Sequence, residues 1–352
     1  MEEEPVRKFD IILSVVIVVL VVIALVLSVK ILLKYLFPAY ELTRSDWAFE
    51  CTEIVQMNAA GYFGVNVTIG IIDTGINTNH PDLSSINISA WKDFINYRNE
   101  PYDDNGHGTH IAGILAANGK ITGIIPYAKL IVVKALKNDG TSNDTTVAKA
   151  VEFCMDPNCD GDLTDGADVI CLSLGGKKIP ALGSASERAC QNATSKGTFV
   201  VAAAGNDYPN RDVATPGTVE LVFSVGAIDE NKKIAVFSSK GWNVFRTAPN
   251  EKPELVAPGV HILSTWQTGY AYCDGTSQSA PFVAGSIALI LDALPHYQHE
   301  FTNSSAAISY FKRVLADSAE KLDAQDTPHD TRYGYGLVQV WSTYNIIKAG
   351  KG

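Results

Sequence analysis

In Val67-Thr68-Ile69-Gly70-Ile71-Ile72-Asp73-Thr74-Gly75-Ile76-Asn77, an apolar run rich in β-branched side chains ends in a carboxylate and a glycine turn. A strand with no polar alternation is buried on both faces, as in a parallel sheet covered by helices. Lys129 to Val133, Val169 to Leu174, Thr198 to Ala204 and Val222 to Ala227 have the same character. Segments of helical length separate them, at His107 to Ala117, Asp144 to Phe153 and Gly183 to Lys196. The alternation predicts an α/β fold, a mainly parallel twisted sheet with helices on both faces. In such sheets functional groups gather at the carboxyl ends of strands, which makes Asp73 a candidate; an Asx turn or a cap is its bland alternative.

Working outward, Asp103-Asp104-Asn105-Gly106-His107-Gly108-Thr109-His110-Ile111-Ala112-Gly113 places a histidine between glycines, with a second histidine one turn later. A zinc site is a weak alternative, because the glutamate of an H-E-x-x-H pattern is missing and no third ligand is evident. Near the other end, Gly275-Thr276-Ser277-Gln278-Ser279-Ala280-Pro281-Phe282-Val283-Ala284-Gly285 sets a serine at the start of an apolar helix. Unpaired N–H groups and the helix dipole favour negative charge there, although Ser and Thr commonly do no more than cap. A hydroxyl becomes a useful nucleophile only with a base to take its proton.

Asp73, His107 and Ser277, each in its own glycine-flanked turn, together resemble the subtilisin-like serine proteases, through Asp-Thr-Gly-Ile, Gly-His-Gly-Thr-His-Ile-Ala-Gly and Gly-Thr-Ser-x-Ser-Ala-Pro-x-Val-Ala-Gly. Ser173-Leu174-Gly175-Gly176, Ala203-Ala204-Gly205-Asn206, Phe237-Ser238-Ser239, Val256-Ala257-Pro258-Gly259 and Tyr333-Gly334-Tyr335-Gly336 extend the resemblance from about Ala60 to the C-terminus. It implies a serine endopeptidase in which Ser277 attacks, His107 moves the proton, Asp73 orients His107, and Asn206 with the Ser277 N–H binds the oxyanion. By the same resemblance, Gly140, Thr141 and Ser142 form an edge for extended peptide, and Ser173, Leu174, Gly175, Ala204 and Gly205 form the walls of the primary pocket. Asp144 stands where many relatives carry a bulky residue, which argues against a strong hydrophobic preference in the distal pocket. Gln278 replaces a frequent methionine, predicting lower sensitivity to peroxide, and Phe282 replaces a frequent histidine as a packing change.

Calcium is the expected cofactor. Asp156-Pro157-Asn158-Cys159-Asp160-Gly161-Asp162 puts carboxylate and amide oxygens at alternate positions with glycine sixth, and Asp165 and Asp168 follow. The bidentate glutamate of an EF-hand loop is absent, its place taken by Ala167. Similar aspartate-rich insertions occur in some archaeal subtilisin-like proteases. Asn118 to Thr122 is shorter than the corresponding calcium loop of secreted relatives, so that site is expected to be missing.

At the N-terminus, Ile11 to Val29 carries no charge and is nearly all Val, Ile and Leu, long enough at about 1.5 Å per residue to cross roughly 30 Å of hydrocarbon. The flanking Lys30, Lys34 and Leu36-Phe37-Pro38 argue for an uncleaved anchor over a cleaved signal. The expected organisation is a tail at 1–10, a transmembrane helix at 11–37, a linker and entry segment at 38–59 and a peptidase domain at 60–352. The span after the anchor is too short for a separate inhibitory domain. Arg7 and Lys8 on one side and Lys30, Lys34 and Arg44 on the other leave orientation open. Sequons at Asn66, Asn87, Asn143, Asn192 and Asn303 favour an extracytoplasmic domain, weakly. Among six cysteines, Cys154 and Cys159 could pair across a turn, whereas Cys171 reads as a buried thiol. A net charge of −10 argues against nucleic acid as a partner; peptides, proteins and the membrane are the expected ones.

Overall fold

Strands β1 (Thr68–Asp73), β2 (Asn87–Asp93), β3 (Lys129–Lys134), β4 (Val169–Leu172), β5 (Phe199–Ala203), β6 (Phe223–Ile228) and β7 (Leu255–Pro258) form one sheet in the order β2-β3-β1-β4-β5-β6-β7. Every neighbouring pair is parallel. This computed structural model describes residues 45–176, 183–209, 212–299 and 304–350. The chain divides into two units, Met1–Thr43 and Arg44–Gly352, of which the first lies outside the described residues.

The inner strands alternate between two apolar layers rather than between core and water. Ile69 and Ile71 of β1, with Leu130 and Val132 of β3 and Phe199 and Val201 of β5, join one core. Ile72, Ile131, Val133, Val200 and Ala202 join the other. The first layer is covered by α1 (Asp46–Cys51), α2 (Ile54–Ala59), α3 (His107–Ala116), α6 (Thr276–Ala293), α7 (Ala306–Ser318) and α8 (Val340–Lys348), and the second by α4 (Asp144–Met155) and α5 (Ala185–Ser195). Burial on both faces is why these strands carry almost no polar residues. β2, at the edge, is largely exposed or half-buried, so its sequence Asn87-Ile88-Ser89-Ala90-Trp91-Lys92-Asp93 lacks that signature. An antiparallel hairpin of β8 (Ile262–Thr265) and β9 (Tyr270–Cys273) packs apart from the sheet.

Two expectations change, and a third is not reached. The stretch 38–59, read as a linker and entry segment, contains α1 and α2, which join the core through buried Phe49, Ile54 and Met57; Phe49 meets Phe282 edge to face at 5.6 Å. Cys154 and Cys159 do not pair, and all six cysteines are free thiols. Cys154 is spent on packing, so close under β1 that a methyl group on Gly70 would meet its sulfur at 2.8 Å, while Cys159 is exposed. Among the described residues no helix is long and apolar enough to cross a membrane; the span expected at 11–37 lies outside them.

Candidate active site

The carboxyl end of β1 delivers Asp73 to the turn Thr74-Gly75, which lies against the loop that leads into α3. Ile76 N–H donates to Tyr102 O at 3.1 Å, and Gly75 has φ +118°, with its missing Cβ only 2.0 Å from Tyr102 O. Across this contact Gly108 is equally constrained, since a Cβ there would lie 2.1 Å from Gly75 O. The glycines of the two motifs thus let two backbones touch. One consequence is that a histidine at the start of α3 reaches the aspartate at the end of β1.

His107 Nδ1 lies 2.7 Å from Asp73 Oδ1, which also accepts the Thr74 N–H at 2.7 Å. Asp73 is fully buried and its Oδ2 has no protein partner. Burial of the imidazole opposes protonation, but the charge and hydrogen bond of Asp73, helped by the charge of Asp103, outweigh it and raise His107 above its usual value. His110 does different work. Its Nε2 lies 3.1 Å from both Ile262 O and Ala271 O, pinning α3 to the β8–β9 hairpin, and burial depresses it to about 4. Among the described residues no three His, Cys, Asp or Glu side chains gather as a metal site.

Ser277 stands in the first turn of α6, with Gly275 as N-cap and no side chain capping the helix. Pro281, four residues on, has no N–H to give the Ser277 carbonyl, and the Ser173 hydroxyl supplies the missing donor at 2.8 Å. That bond ties the end of β4 to the backbone of Ser277. Thr276 N–H and Oγ1–H both donate to Asn206 Oδ1 at 2.9 Å, and Thr276 Oγ1 accepts from Gly205 N–H at 3.0 Å. Because both groups on Thr276 donate, Asn206 must offer them its oxygen, which leaves its NH2 group as the free end of an exposed side chain.

His107, Asn206 and Ser277 line one cleft of about 910 Å³. No hydrogen bond joins His107 to Ser277; contacts of this kind often tighten only around substrate. Gly140, Thr141, Ser142, Ser173, Leu174, Gly175 and Gly205 line the same cleft. Ala204 does not reach the cleft. It is fully buried, its N–H donating to Val225 O and its carbonyl accepting from Ala214 N–H, and Ala203 lines the wall instead. Asp144 does line the cleft, but its carboxylate faces α5, accepting from Ala185 N–H at 2.5 Å and Ser186 Oγ at 2.5 Å. Burial raises this carboxyl, yet the donors of Ser186 and Ala185 win and hold it below its usual value.

The sequence of the subtilase family matches residues 64–336. The chain belongs to the subtilase family. It is 36% identical to "Subtilisin DY" of Bacillus licheniformis over 292 residues, covering 81% of this chain and 93% of that protein. It is 36% identical over 280 residues to "Serine protease AprX" of Bacillus subtilis, covering 70% of this chain and 62% of AprX. To "Thermophilic serine proteinase" of Bacillus sp. the identity is 39% over 228 residues, 63% of this chain and 51% of that protein. The chain thus spans nearly all of one such relative and less than two thirds of the other two. Subtilases are serine-type endopeptidases.

Within this subtilase the expected calcium ligands Asp156, Asn158, Asp160, Asp162 and Asp165 share one largely exposed loop between α4 and β4. Its oxygens turn mostly onto its own backbone: Asp156 accepts from Asp160 N–H and Gly161 N–H, Asn158 from Asp160 N–H, Asp160 from Asp162 N–H and Asp162 from Thr164 N–H. The carboxylates are close enough that, after burial, the charges of Asp160, Asp156 and Asp162 raise Asp165. They do not converge on one point. The short turn at 118–122 closes differently, around Asp82, which accepts from Lys120 N–H, Ile121 N–H and Tyr270 OH at 2.8–2.9 Å. Sequence reasoning missed the roles of Thr74, Asp103 and Thr276, and, for Ser173, the bond to Ser277 beside its place in the cleft. Their signal was their place within the motifs, and what they touch lies far away in sequence.

Proposed function

We propose that this chain is a membrane-anchored serine endopeptidase cutting peptide bonds through Asp73, His107 and Ser277 with an acyl-enzyme intermediate. The observation that carries the reading is the 2.7 Å Asp73–His107 pair opening onto the cleft that Ser277 lines. Substrate lies extended along Gly140 to Ser142, main chain to main chain. His107 takes the Ser277 proton as the hydroxyl oxygen adds to the peptide carbonyl, then gives it to the departing amine; Asp73 keeps the ring in its tautomer and balances its charge. The oxyanion meets the Asn206 NH2 group and the Ser277 N–H, donors held ready before the charge forms. Water enters by the same base and releases the acid.

Support for the anchor is the uncharged run Ile11 to Val29, and for an extracytoplasmic domain the sequons, of which Asn66, Asn87, Asn143 and Asn192 are exposed. A membrane-impermeant label on intact cells distinguishes this placement from an inward-facing quality-control protease. Calcium suits the hard oxygen donors of Asp156, Asn158, Asp160, Asp162 and Asp165, and what it supplies when bound is neutralisation of their crowded charge.

Labelling by a fluorophosphonate, with and without calcium, tests the chemistry. Intact protein is expected to label and Ser277→Ala to stay unlabelled. A folded, calcium-loaded protein that does not label would instead be a silent scaffold on a protease fold.

A further inference from the structure

We infer that Asp103 is a positioning residue for His107, holding the Asp73 turn and the start of α3 in one network and supplying a second negative charge behind the imidazolium that forms during cleavage. The inference rests on the triad reading above and adds a group outside the triad.

The geometry is a carboxylate with five donors from three parts of the chain. Asp103 Oδ1 accepts from Thr74 Oγ1 at 2.9 Å, Asn105 N–H at 3.0 Å and Gly106 N–H at 2.9 Å; Oδ2 accepts from Thr109 N–H at 2.9 Å and Thr109 Oγ1 at 2.7 Å. Thr74 follows Asp73 directly, and its Oγ1 in turn accepts the N–H of Gly108, the residue after His107. A single side chain therefore fixes the residues on either side of the Asp73–His107 bond. Burial alone would raise the carboxyl, but the donors of Thr109, Gly106 and Asn105 hold it below its usual value, so it is ionised wherever His107 titrates. Its charge then adds to that of Asp73 in favouring protonated His107.

The other charged groups around His107 do not duplicate this role. His110, one turn further along α3, stays neutral because burial depresses it to about 4. Lys134, at the end of β3, is committed to Asp104 Oδ1 at 2.6 Å, Thr74 O at 2.6 Å and Leu136 O at 3.1 Å. Asp104 is thereby paired, whereas Asp103 faces only neutral donors.

The sign of the effect follows. Removing the Asp103 charge makes the imidazolium less favourable, so His107 loses its proton at lower pH and the transition state that creates the imidazolium rises in energy. Substrate binds while His107 is neutral, so KM is spared.

The test uses the full-length protein, first checked for fluorophosphonate labelling at Ser277, so that failure of the triad reading is seen separately. In Asp103→Asn the acid limb of kcat/KM is expected to move to lower pH by on the order of half a unit, with plateau kcat falling about tenfold and KM unchanged. A variant that labels normally and keeps both the wild-type limb and plateau overturns the inference while leaving the triad intact. Loss of melting temperature alone, with no movement of the limb, also overturns it. Should Asp103→Asn not fold, Thr74→Val removes the relay to Gly108 while Asp103 keeps four donors. Here kcat is expected to fall severalfold with the acid limb in place, and an unchanged kcat overturns the inference.

Discussion

Two acidic turns precede helix or strand in this molecule, Asp103-Asp104-Asn105-Gly106 before α3 and Asp156 to Asp165 before β4, and they use the same residue types for opposite ends. Both are built from Asx turns, in which a carboxylate or amide oxygen accepts a nearby N–H. In the second, those donors belong to the loop itself. In the first, Asp103 also takes donors from Thr74, beyond β1, and from Thr109 on α3. A carboxylate satisfied by its own turn shapes only that turn, whereas one satisfied by distant elements fixes their relative position. On the proposed reading, the difference separates a turn that serves the chemistry from one that serves stability.

The comparison breaks most visibly in activity. Asp73→Asn keeps the shape of the site but allows the wrong histidine tautomer, and turnover is expected to fall about 10,000-fold. Asp160→Asn, in the second turn, is expected to leave kcat within about twofold, as surface changes away from a site usually do. A large loss of kcat in folded Asp160→Asn would erase the distinction. Next in size, Asn206→Ala removes one oxyanion donor and is expected to slow acylation by on the order of 100- to 1,000-fold with little change in KM. The Thr276 bonds to Asn206 Oδ1 sharpen this expectation, because the amide is aimed before substrate arrives.

Smaller again is the response to pH, where the sign differs between activity and stability. Folded His107 is raised above its usual 6.5 by Asp73 and Asp103 against the opposing effect of burial. As a base it must be neutral, so kcat/KM is expected to fall about tenfold per unit below the raised folded value, and the limb to lie above 6.5. For stability, a raised folded pKa gives a contribution fully present below the unfolded value and lost as pH rises through the folded one. The Asp73–His107 pair therefore stabilises the fold most where the enzyme works least. A limb at or below 6.5 contradicts the electrostatic account.

Inner strands were legible in the sequence because burial on both faces strips them of polar residues, as in Ile69-Gly70-Ile71-Ile72 and Leu130-Ile131-Val132-Val133. Asp73 stood out at the end of one of them, and glycine is the residue that permits Gly75 and Gly108 to touch beside it. Edge strand β2 was not legible, because a half-exposed strand has no continuous apolar run. Nor were α1 and α2, helices of six residues each, too short to show a full apolar stripe. The substrate wall was misplaced by one residue at Ala204 for a simple reason: in Ala202-Ala203-Ala204 identical side chains hide which face each takes. The Asp103–Thr74 and Ser173–Ser277 contacts escaped because the partners lie 29 and 104 residues apart.

The second turn supplies the smallest effect and a clean reversal of sign. Without a cation, Asp165 is raised by burial and then by Asp160, Asp156 and Asp162, so its protonation is favoured by folding. In chelator, that repulsion is expected to ease as pH falls through the raised value, and the loop to gain stability. With calcium present the charges are neutralised by the metal, and acid instead competes for its ligands, so stability falls over the same window. Binding at a hundredfold excess over Kd adds about 2.7 kcal/mol, enough to raise the melting temperature by several degrees in a domain of this size. Asp160→Asn is expected to remove most of that gain, whereas Asp103→Asn, in the first turn, leaves the calcium response intact. Melting that is indifferent to chelator at matched ionic strength would make Asp156 to Asp165 an acidic turn closed by its own N–H groups and nothing more.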